Sequence, residues 1–450
     1  MRLLYSALYY CLMPCIVLRM LWRSRLAPAY RQRWSERLGY FRGLPDDGVP
    51  AIWVHAVSVG ETIAAAPLVE SLLQQFPDYR VVLTTTTPTG SERARALFGD
   101  RVLHVYAPWD LPGSLRRFLD RTRPRLLIIM ETELWPNMLH YTRASGCNVM
   151  LANGRMSQRS ARGYARVAGL TRQLLSSLNV VACQTLEDSK RFLALGVAPA
   201  VLHVTGSVKF DVTLDESLRN QAAELRRTFM VGGRPVLVAA STHPGEEALV
   251  LAAFRDIRRT RGDCLLVLVP RHPERFEKVH GLCVREGWQV VRRSSDSEPS
   301  GADDILLGDT MGELLLLLGT ATVAVVGGSL LAHGGHNVLE AAVWGVPAVS
   351  GPHMENFAEV SARLEAAGAV IRLDTPGALS DTLQRLLDDA DLRQRMGMAG
   401  LQVLDENRGA SARLLALVQR QLARSRGVTY LVAVAVAVGG GAGSRKESRL

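Results

Sequence analysis

From residue 51 onward, short runs of apolar, β-branched residues alternate with longer amphipathic stretches. Strands that are apolar along most of their length are typical of a parallel sheet covered by helices on both faces. The pattern therefore predicts an α/β fold with doubly wound sheets. The strands predicted in the first half are 52–57, 81–86, 102–105, 126–130, 149–152, 180–183 and 201–204. The helices predicted between them are 63–75, 91–98, 115–121, 161–177 and 187–195.

The pattern restarts after a break near 210–215. The strands predicted in the second half are 236–240, 265–269, 289–291, 305–307, 323–326, 348–349 and 370–373. We therefore predict two Rossmann-like domains, 51–211 and 212–426, facing a central cleft. Ligands of such sheets bind at the carboxyl ends of the strands, so polar residues that follow a strand are the candidates for chemistry.

The beginning of the chain is apolar and predicts a membrane anchor over 1–22. Residues 3–18 are uncharged, and a helix of 16–20 residues is about 24–30 Å long, close to the hydrocarbon thickness of a bilayer. A hydrophobic helix packed on the following domain is the alternative. A cleaved signal peptide agrees less well with the sequence, because no small-x-small cleavage site follows the apolar run.

The formal net charge of +10 is concentrated at the ends of the chain. Residues 1–42 hold eight arginines and one acid, whereas the body of the chain is close to neutral. A basic juxtamembrane segment, 23–50, beside an apolar helix predicts attraction to anionic lipid headgroups and a cytoplasmic body. A nucleic-acid-binding protein carries its basic surface on the folded domain, so no nucleic-acid partner is expected.

The cysteines and the C-terminal tail add little chemistry. None of the six cysteines has CxxC spacing, which favours a reducing compartment. The tail, 427–450, contains a Val/Ala-rich run over 428–438 that is too short to span a bilayer as a helix. We predict that this tail is poorly ordered and assign it no function.

The first candidate site, residues 55–62, has the sequence HAVSVGET and follows the first predicted strand. A helix is predicted to begin at about Glu61, and Ser58 and Glu61 have the spacing of a capping box, with Ser58 as the N-cap and Glu61 at N3. A carboxylate in a first helical turn is stabilised by the helix dipole, and Glu61 is a candidate general base. Residues 56–60 also fit the small-x-Ser-x-Gly pattern of a nucleophile elbow, so a hydrolase using Ser58 is an alternative.

Charged residues also lie after the fourth predicted strand and next to the predicted domain boundary. Glu131 and Glu133 directly follow an apolar strand, where an acid is costly unless it is paired or functional. Alternatively, Thr132 or Glu133 caps the next helix. Lys209, in the segment 205–211, either forms a hinge ion pair or meets an anionic substrate.

The second half begins with a further polar segment, 241–247, of sequence STHPGEE. It precedes a predicted helix, and Ser241 or Thr242 is a candidate cap or phosphate donor. Arg271 follows the next predicted strand and suits a bidentate phosphate contact.

A Gly-rich segment, 327–340, leads into another predicted helix and suggests an anion site built from backbone N–H groups. It is neither a Walker loop nor the Rossmann dinucleotide fingerprint. His333 and His336 have a spacing found among zinc ligands, but no third ligand is close in sequence, so no metal is predicted.

Seven segments, taken together and in order, resemble the 3-deoxy-D-manno-octulosonic acid (Kdo) transferases of lipopolysaccharide synthesis. The resemblance also includes the N-terminal apolar segment and extends to about residue 426. The matching segments are 55–61 (His-Ala-x-Ser-x-Gly-Glu), 131–137 (Glu-x-Glu-x-Trp-Pro-Asn), 205–211 (Thr-Gly-x-x-Lys-Phe-Asp), 241–247 (Ser-Thr-His-x-Gly-Glu-Glu), 270–276 (Pro-Arg-His-x-Glu-Arg-Phe), 308–314 (Gly-Asp-Thr-x-Gly-Glu-Leu) and 327–340 (Gly-Gly-Ser-Leu, then Gly-Gly-His-Asn-x-Leu-Glu).

The resemblance implies a GT-B fold with an N-terminal acceptor domain and a C-terminal CMP-sugar domain. It implies transfer of Kdo from CMP-Kdo to the tetraacylated lipid A precursor at the cytoplasmic face of the inner membrane. Glu61 corresponds to the proton acceptor, and Glu131 and Lys209 correspond to transition-state stabilisers. The residues implied to contact CMP are Pro270, Arg271, Met311, Gly312, Glu313, Asn337, Val338, Leu339 and Glu340. Further candidate donor or phosphate contacts are Ser58, Gly60, Ser241, Thr242, His243, Gly328 and Ser329.

Neither a metal nor a cofactor is expected for this chemistry. The donor carries one phosphate, so Arg271 and the helix N-terminus near Asn337 can neutralise it, while Glu340 holds the ribose. A single displacement with Glu61 as base predicts inversion at the anomeric carbon.

Two departures from the family and two alternatives accompany this interpretation. Ala341 stands where the family usually has proline, and the tail from Gly427 matches nothing in it. A GT-B transferase or epimerase that uses a UDP-sugar is the alternative enzyme. A membrane-tethered scaffold that binds no nucleotide is the alternative without an activity.

Overall fold

The chain divides into two compact units in its computed structural model, which describes residues 2–25, 28–229, 233–295, 300 and 303–425. The first unit contains the chain up to Thr205 and resumes at Ala412, and the second unit is Gly206–Ser411. The predicted domains, 51–211 and 212–426, place this boundary slightly later and assign the last helix to the second domain. The predicted tail, 427–450, lies outside the described residues.

The first unit is built on a parallel sheet of seven strands within the described part of the chain, in the order β3-β2-β1-β4-β5-β6-β7. The side chains of the inner strands β1, β2, β4, β5 and β6 are largely apolar and buried, as a sheet covered on both faces requires. The edge strands β3 and β7 are partly exposed. The strands are β1 (Ala51–His55), β2 (Arg80–Thr85), β3 (Leu103–Tyr106), β4 (Pro124–Met130), β5 (Asn148–Gly154), β6 (Val180–Cys183) and β7 (Leu202–Val204).

Helices precede, connect and follow these strands. Several start at side-chain caps, such as Thr87 and Thr185, which accept hydrogen bonds from the first turn. The helices are α1 (Arg2–Arg23), α2 (Trp34–Arg37), α3 (Val59–Gln75), α4 (Pro88–Phe98), α5 (Pro112–Thr122), α6 (Pro136–Ala144), α7 (Gln158–Arg166), α8 (Ala168–Leu175) and α9 (Leu186–Ala194).

The second unit repeats this design with a second parallel sheet, in the order β10-β11-β9-β8-β12-β13-β14. Its strands are β8 (Val236–Thr242), β9 (Leu265–Pro270), β10 (Val290–Arg292), β11 (Ile305–Leu307), β12 (Val323–Val326), β13 (Ala348–Ser350) and β14 (Val370–Arg372). Its helices are α10 (Glu216–Phe229), α11 (Glu246–Thr260), α12 (Phe276–Arg285), α13 (Leu314–Leu318), α14 (Leu339–Ala342), α15 (Ala358–Ala366), α16 (Leu379–Asp388) and α17 (Ala390–Asn407). Helix α18 (Ala410–Ser425) follows, and from Ala412 onward it belongs to the first unit.

Successive residues of β8 show how this sheet forms two cores. Val236 and Val238 belong to one hydrophobic cluster, whereas Leu237 and Ala239 belong to another. Side chains alternate between the two faces of a strand, so each face packs against its own layer of helices. The predicted α/β, doubly wound fold is thereby confirmed.

The predicted strands match the structure closely, whereas the predicted helices differ from it: α3, α4 and α5 begin three or four residues before the predicted starts, and α2 was not predicted. Every predicted strand is present, and its ends shift by two residues or fewer. The helix predicted over 161–177 is wrong as one element, because Val167 has a non-helical backbone that separates α7 from α8. The prediction also lacked α6, which begins at Pro136.

Helix α1 is long and apolar enough to cross a membrane and is alone in this among the described residues. Its apolar side chains are largely exposed, with Leu3 at 74%, which favours the anchor over a helix packed on the domain. A polar contact still connects it to the first unit, since Ser6 and Arg2 donate hydrogen bonds to the Asn137 side-chain oxygen at 3.0 and 3.2 Å.

Two arginines of the basic segment have structural roles instead of facing lipid. Arg37 is only 5% exposed, donates a hydrogen bond to the Thr86 carbonyl and lies 4.2 Å from the centroid of the Tyr106 ring. Arg33 pairs with Glu36 and lies over the same ring at 4.8 Å. Arg37 is therefore not available to a lipid headgroup, contrary to the sequence-based interpretation of the whole segment.

Each sheet has a topological switch point next to its first strand, where ligands of doubly wound sheets bind. In the first unit it lies between β1 and β4, and in the second between β8 and β12. The candidate residues Glu61 and Glu131 follow β1 and β4, and the segments beginning at His243 and Gly327 follow β8 and β12.

Candidate active site

Glu61 lies in the first turn of α3 and is 7% exposed. Its carboxylate accepts hydrogen bonds from the Val57 N–H and the Ser58 hydroxyl, both at 2.9 Å. Burial raises the pKa of Glu61 to about 7, helped by the negative charges of Glu131 and Glu133, although the two hydrogen bonds oppose the shift. A carboxylate poised near neutrality in this way can serve as a general base.

Ser58 is the N-cap of α3, since its Oγ accepts a hydrogen bond from the Glu61 N–H at 3.3 Å. The predicted capping box is therefore present, and α3 begins at Val59, two residues before the start predicted from the Glu61 motif and four before the helix predicted over 63–75. The nearby imidazole of His55 is fully buried and contacts Thr84 instead. Ser58 therefore has a carboxylate partner, and among the described residues no imidazole forms a hydrogen bond with it, as the base of a hydrolase nucleophile would. Gly60, the residue before Glu61, is exposed.

Glu131 directly follows β4 and has a left-handed backbone conformation, with φ 56°. Non-glycine residues in this region cost about 1–3 kcal/mol, and they are frequent in active sites. The conformation is supported by a hydrogen bond from the Glu131 N–H to the Ala152 carbonyl at 2.9 Å. It places an acid beside the switch point of the first sheet.

The start of α6 is capped by a residue that the sequence analysis did not identify. Asp110 is buried, and its carboxylate accepts hydrogen bonds from the backbone N–H groups of Asn137 and Met138 at 3.0 and 2.7 Å. Thr132 and Glu133 were wrong as predicted caps: Thr132 donates to the Arg155 carbonyl, and Glu133 accepts from the Trp135 indole. An isolated aspartate in a loop gives no local signal of such a contact.

The segment that carries Lys209 belongs to the second unit. Phe210 is buried in its core, and Asp211 accepts backbone hydrogen bonds from Gly409 and Ser411. Lys209 itself is half-buried, and its Nζ lies 5.6 Å from the Phe357 ring centroid. It forms no ion pair with any residue that the structure describes, so its charge is available to an anion.

Two buried acids at the start of α11 organise the loops of the second unit. The Glu246 carboxylate accepts backbone hydrogen bonds from His243, Gly328 and Leu330 at 2.7–2.9 Å. The neighbouring Glu247 forms a bidentate ion pair with Arg275, with N···O distances of 2.6 and 3.0 Å. Both acids belong to the 241–247 motif, but no role was predicted for them from the sequence.

Three of the candidate phosphate contacts already have protein partners. The Gly328 N–H binds Glu246, and the Thr242 hydroxyl donates to Glu247 at 2.9 Å. The Ser329 hydroxyl donates to the Val326 carbonyl and accepts from the Gly351 N–H. Their contacts to a donor remain predictions, and a buried carboxylate already takes up part of the expected anion site.

The end of β8 and the loop after β12 approach so closely that one position requires glycine. A Cβ atom on Gly327 would lie 2.3 Å from the Ser241 carbonyl oxygen, closer than any side chain can come. Ser241 also has a left-handed backbone, with φ 57°. The two segments that border the switch point of the second sheet are therefore fixed against each other.

The residues expected to contact CMP lie on loops of the same sheet. Pro270 ends β9, and the Arg271 side chain after it is exposed. Met311 is exposed, Gly312 has a φ of 89°, and Glu313 pairs with Arg293 at 2.8 Å.

Asn337 and Glu340 line a pocket in the second unit and contact each other at 3.4 Å. Burial raises the pKa of Glu340. Val338 and Leu339 between them are fully buried, so they can offer a ligand only backbone atoms. The pocket is lined by Ala240, Ser241, Leu314, Leu318, Ala324, Val325, Val326, His336, Asn337, Glu340 and Ala341.

Four imidazoles gather at this edge of the second sheet, although the sequence pattern pairs only His333 with His336. The His243 ring is stacked on His333, with centroids 4.4 Å apart, and lies edge-on to His272 at 5.4 Å. Nε2 of His243 is 2.8 Å from Nε2 of His336. Within the described ranges, no group of three or more His, Cys, Asp or Glu residues is arranged to hold a metal ion.

Comparisons with known proteins give the family. A family model described as 3-deoxy-D-manno-octulosonic-acid transferase matches residues 32–212, and one described as glycosyl transferases group 1 matches residues 248–403. A 3-deoxy-D-manno-octulosonic acid transferase of Haemophilus influenzae is 40% identical over 425 residues, which cover 94% of this chain and 99% of that protein. The enzyme of the same name from Bordetella pertussis is 39% identical over 374 residues, covering 81% and 86%.

The solved structures that are similar at low sequence identity show the fold. A UDP-GlcNAc 2-epimerase from Neisseria meningitidis has a TM-score of 0.53 at 12% identity and covers 82% of this chain. A putative UDP-N-acetylglucosamine 2-epimerase from Listeria monocytogenes has a TM-score of 0.51 at 15% identity and covers 83%. These likenesses and the two parallel sheets confirm the GT-B fold class.

Proposed function

This chain belongs to the Kdo transferase family, and we propose that it transfers Kdo from CMP-Kdo to the tetraacylated lipid A precursor with inversion at the anomeric carbon. The observation that carries the mechanism is the environment of Glu61. A carboxylate beside a switch point, with its pKa raised to about 7, is suited to take a proton from an alcohol near neutral pH.

In the proposed reaction, Glu61 accepts the proton of the acceptor hydroxyl as that oxygen attacks the anomeric carbon of Kdo. The bond from this carbon to the phosphate oxygen breaks, and its electron pair leaves with CMP. The acceptor hydroxyl takes the place of the Ser58 hydroxyl, which now donates to the Glu61 carboxylate at 2.9 Å. The single displacement inverts the anomeric carbon.

Glu131 and Lys209 have opposite charges and so different roles in the proposal. The fixed backbone of Glu131 suits a carboxylate that stabilises the positive charge developing on the sugar ring. Lys209, which has no ion pair among the described side chains, faces either the sugar carboxylate or the departing phosphate. Both roles follow the family resemblance.

We assign donor binding to the second unit. Arg271 offers a guanidinium to the phosphate, and Asn337 and Glu340 in the pocket bind the nucleoside, with Glu340 on the ribose. The single phosphate of the donor is neutralised by these side chains without a metal ion. Pro270, Met311 to Glu313 and the backbone of Val338 and Leu339 complete the CMP contacts.

The exposed apolar surface of α1 supports a membrane-bound enzyme with a lipid acceptor. We propose that α1 anchors the chain in the inner membrane, with both units on the cytoplasmic side. Exposed arginines after α1, such as Arg25, attract anionic lipids.

The direct test is to incubate the purified full-length protein with CMP-Kdo and the lipid precursor and to determine the product mass. We expect addition of Kdo by the wild type and loss of most transfer in Glu61→Gln, with CMP binding retained. Glu70→Gln is a matched control, because Glu70 lies on the same helix and forms an exposed ion pair with Arg101. Near-normal transfer by Glu61→Gln would remove Glu61 as the base.

A transferase or epimerase that uses a UDP-sugar is the second candidate, since the low-identity structural neighbours include UDP-sugar enzymes. Calorimetric titration with CMP and with UDP separates the two functions. Tighter binding of CMP, weakened in Arg271→Ala, supports the Kdo transferase. Tighter binding of UDP supports the alternative, and binding of neither nucleotide supports the scaffold.

A further inference from the structure

His243 and His336 face each other head to head. Their Nε2 atoms are 2.8 Å apart, their ring centroids are 5.1 Å apart, and their planes differ by 12°. The two rings are thus nearly coplanar and joined by one N–H···N hydrogen bond, in which one imidazole donates and the other accepts. The pair is therefore complete when neutral, and it can still take up one further proton on an outer nitrogen.

The groups around this pair are mostly positive or able to become positive. His333 is stacked on His243, His272 lies edge-on to it, and Arg271 and Arg275 act on the pair electrostatically. Glu246 is the acid that faces His243, but its carboxylate already accepts several backbone hydrogen bonds. Burial and these neighbours lower the pKa of His336 to about 4 and that of His243 below its usual value. Without a ligand, the pair is neutral at pH 7.

The pair also borders the proposed nucleotide pocket, which His336 lines together with Ser241, Asn337 and Glu340. The backbone donors of the Gly-rich loop cannot supply the whole anion site, because Gly328 and Leu330 donate to Glu246. Side chains at this edge must therefore supply part of the positive charge that a bound phosphate needs. The imidazole pair and Arg271 are the groups placed to do so.

We infer that the His243–His336 pair binds the phosphate of the cytidylate group and takes up a proton when it does so. The inference rests on the proposed use of a CMP-sugar. A nearby anion favours the charged form of an imidazole, so the pair holds a proton in the complex that it lacks in the free protein. As the bond between the sugar and the phosphate oxygen breaks, its electron pair stays on the phosphate, and the charged imidazole pair stabilises it.

The linkage gives the sign of the pH dependence. The pKa of the pair is higher in the CMP complex than in the free protein. CMP binding therefore strengthens as the pH falls from 8 toward the pKa that the pair has in the complex. The phosphate of CMP itself titrates near pH 6. This titration contributes equally to CMP binding by wild type and by each variant, so the difference between their affinities at a given pH does not contain it.

The experiment is calorimetric titration of the full-length protein with CMP, in buffers of different ionisation enthalpy, which counts the protons taken up. We expect wild type to take up more protons per CMP than His243→Gln or His336→Gln. Each variant should bind CMP about tenfold more weakly, the size of one charge-assisted hydrogen bond. Cytidine, which lacks the phosphate, should bind wild type and both variants equally. His280→Gln is the control, because His280 lies on α12 and has no ring contact with the pair among the described residues.

The possible results distinguish a failure of the inference from a failure of the proposed function. Equal proton uptake and equal CMP affinity in wild type and both variants would overturn the inference while leaving a CMP-using enzyme in place. Loss of cytidine binding in both variants would show a structural role and would also overturn it. If the wild type binds neither CMP nor cytidine, the proposed function fails, and the inference fails with it.

Discussion

Ser58 and Glu61 are hydrogen-bonded to each other twice. The Ser58 hydroxyl donates to the Glu61 carboxylate at 2.9 Å, and the Glu61 N–H donates back to the same hydroxyl oxygen at 3.3 Å. One local contact thus starts helix α3 and orients the carboxylate proposed as the base. Structural and catalytic roles meet in this pair, and three predictions follow from their coupling.

The activity should depend on the ionisation of Glu61. Because its pKa is raised to about 7 and only the carboxylate accepts a proton, kcat/KM should decline about tenfold per pH unit below this value. Measurement of kcat/KM between pH 5 and 9 tests this. A rate that is unchanged between pH 5 and 7 would exclude Glu61 as the titrating base.

Glu61→Gln should lose most of its activity but be more stable than wild type at neutral and higher pH. The folded-state pKa of Glu61 lies above its unfolded value, so the carboxyl stabilises the fold at low pH, and this contribution is lost as the pH rises from about 4.5 to 7. Relative to wild type, the variant should become more stable by on the order of 2–3 kcal/mol between pH 5 and 8. Denaturant unfolding at both pH values measures the difference. An identical pH dependence in wild type and variant would contradict it.

Ser58→Ala should separate capping from the tuning of the base. Loss of the cap should destabilise the protein by about 1 kcal/mol, and loss of a hydrogen bond to the carboxylate should raise the pKa of Glu61, moving the acidic limb of kcat/KM to higher pH. Thr87→Ala is the control, since the Thr87 hydroxyl caps α4 by accepting a hydrogen bond from a first-turn N–H, that of Gly90, as Ser58 does in α3. It should lose similar stability without a shift in the pH profile. Complete loss of activity in Ser58→Ala at every pH would favour a nucleophilic role for Ser58.

Glu247→Ala should be strongly destabilising. The Glu247 side chain is 2% exposed and pairs with Arg275, which is 14% exposed, and removal of one partner of a buried pair typically costs about 3–5 kcal/mol. Glu277→Ala is the control, because Glu277 pairs with Arg292 at the surface and should cost at most about 1 kcal/mol. Thermal unfolding of the two variants compares them. Similar melting temperatures would show that the buried pair contributes little.

Arg37→Ala and Arg25→Ala should have opposite effects on two measured quantities, the unfolding free energy and the binding to anionic vesicles. Arg37→Ala should lower the unfolding free energy by about 2–3 kcal/mol through loss of the Tyr106 and Thr86 contacts but leave binding to vesicles containing anionic lipid unchanged. Arg25→Ala should keep the stability and weaken vesicle binding by about 1 kcal/mol. Weaker vesicle binding in Arg37→Ala, at unchanged stability, would assign Arg37 to the lipid surface.

The sequence by itself determined what depends on near neighbours along the chain. The apolar runs predicted every strand of both sheets, because a strand buried on both faces must be apolar throughout. The spacing of Ser58 and Glu61 predicted their capping contact, because both groups lie within one turn of α3. The position of Glu131 at a strand end, and the order of seven segments, indicated the family.

Only the tertiary structure decided the contacts between distant residues. Asp110 caps α6 from 27 residues away, Glu246 binds the Gly328 amide across 82 residues, and His243 meets His336 across 93. A local pattern cannot encode such pairs, because parallel strands are joined by long crossovers and the residues at neighbouring strand ends are remote in sequence. The fold brings these ends together, and so decides which polar groups are already bound within the protein and which are free for a substrate.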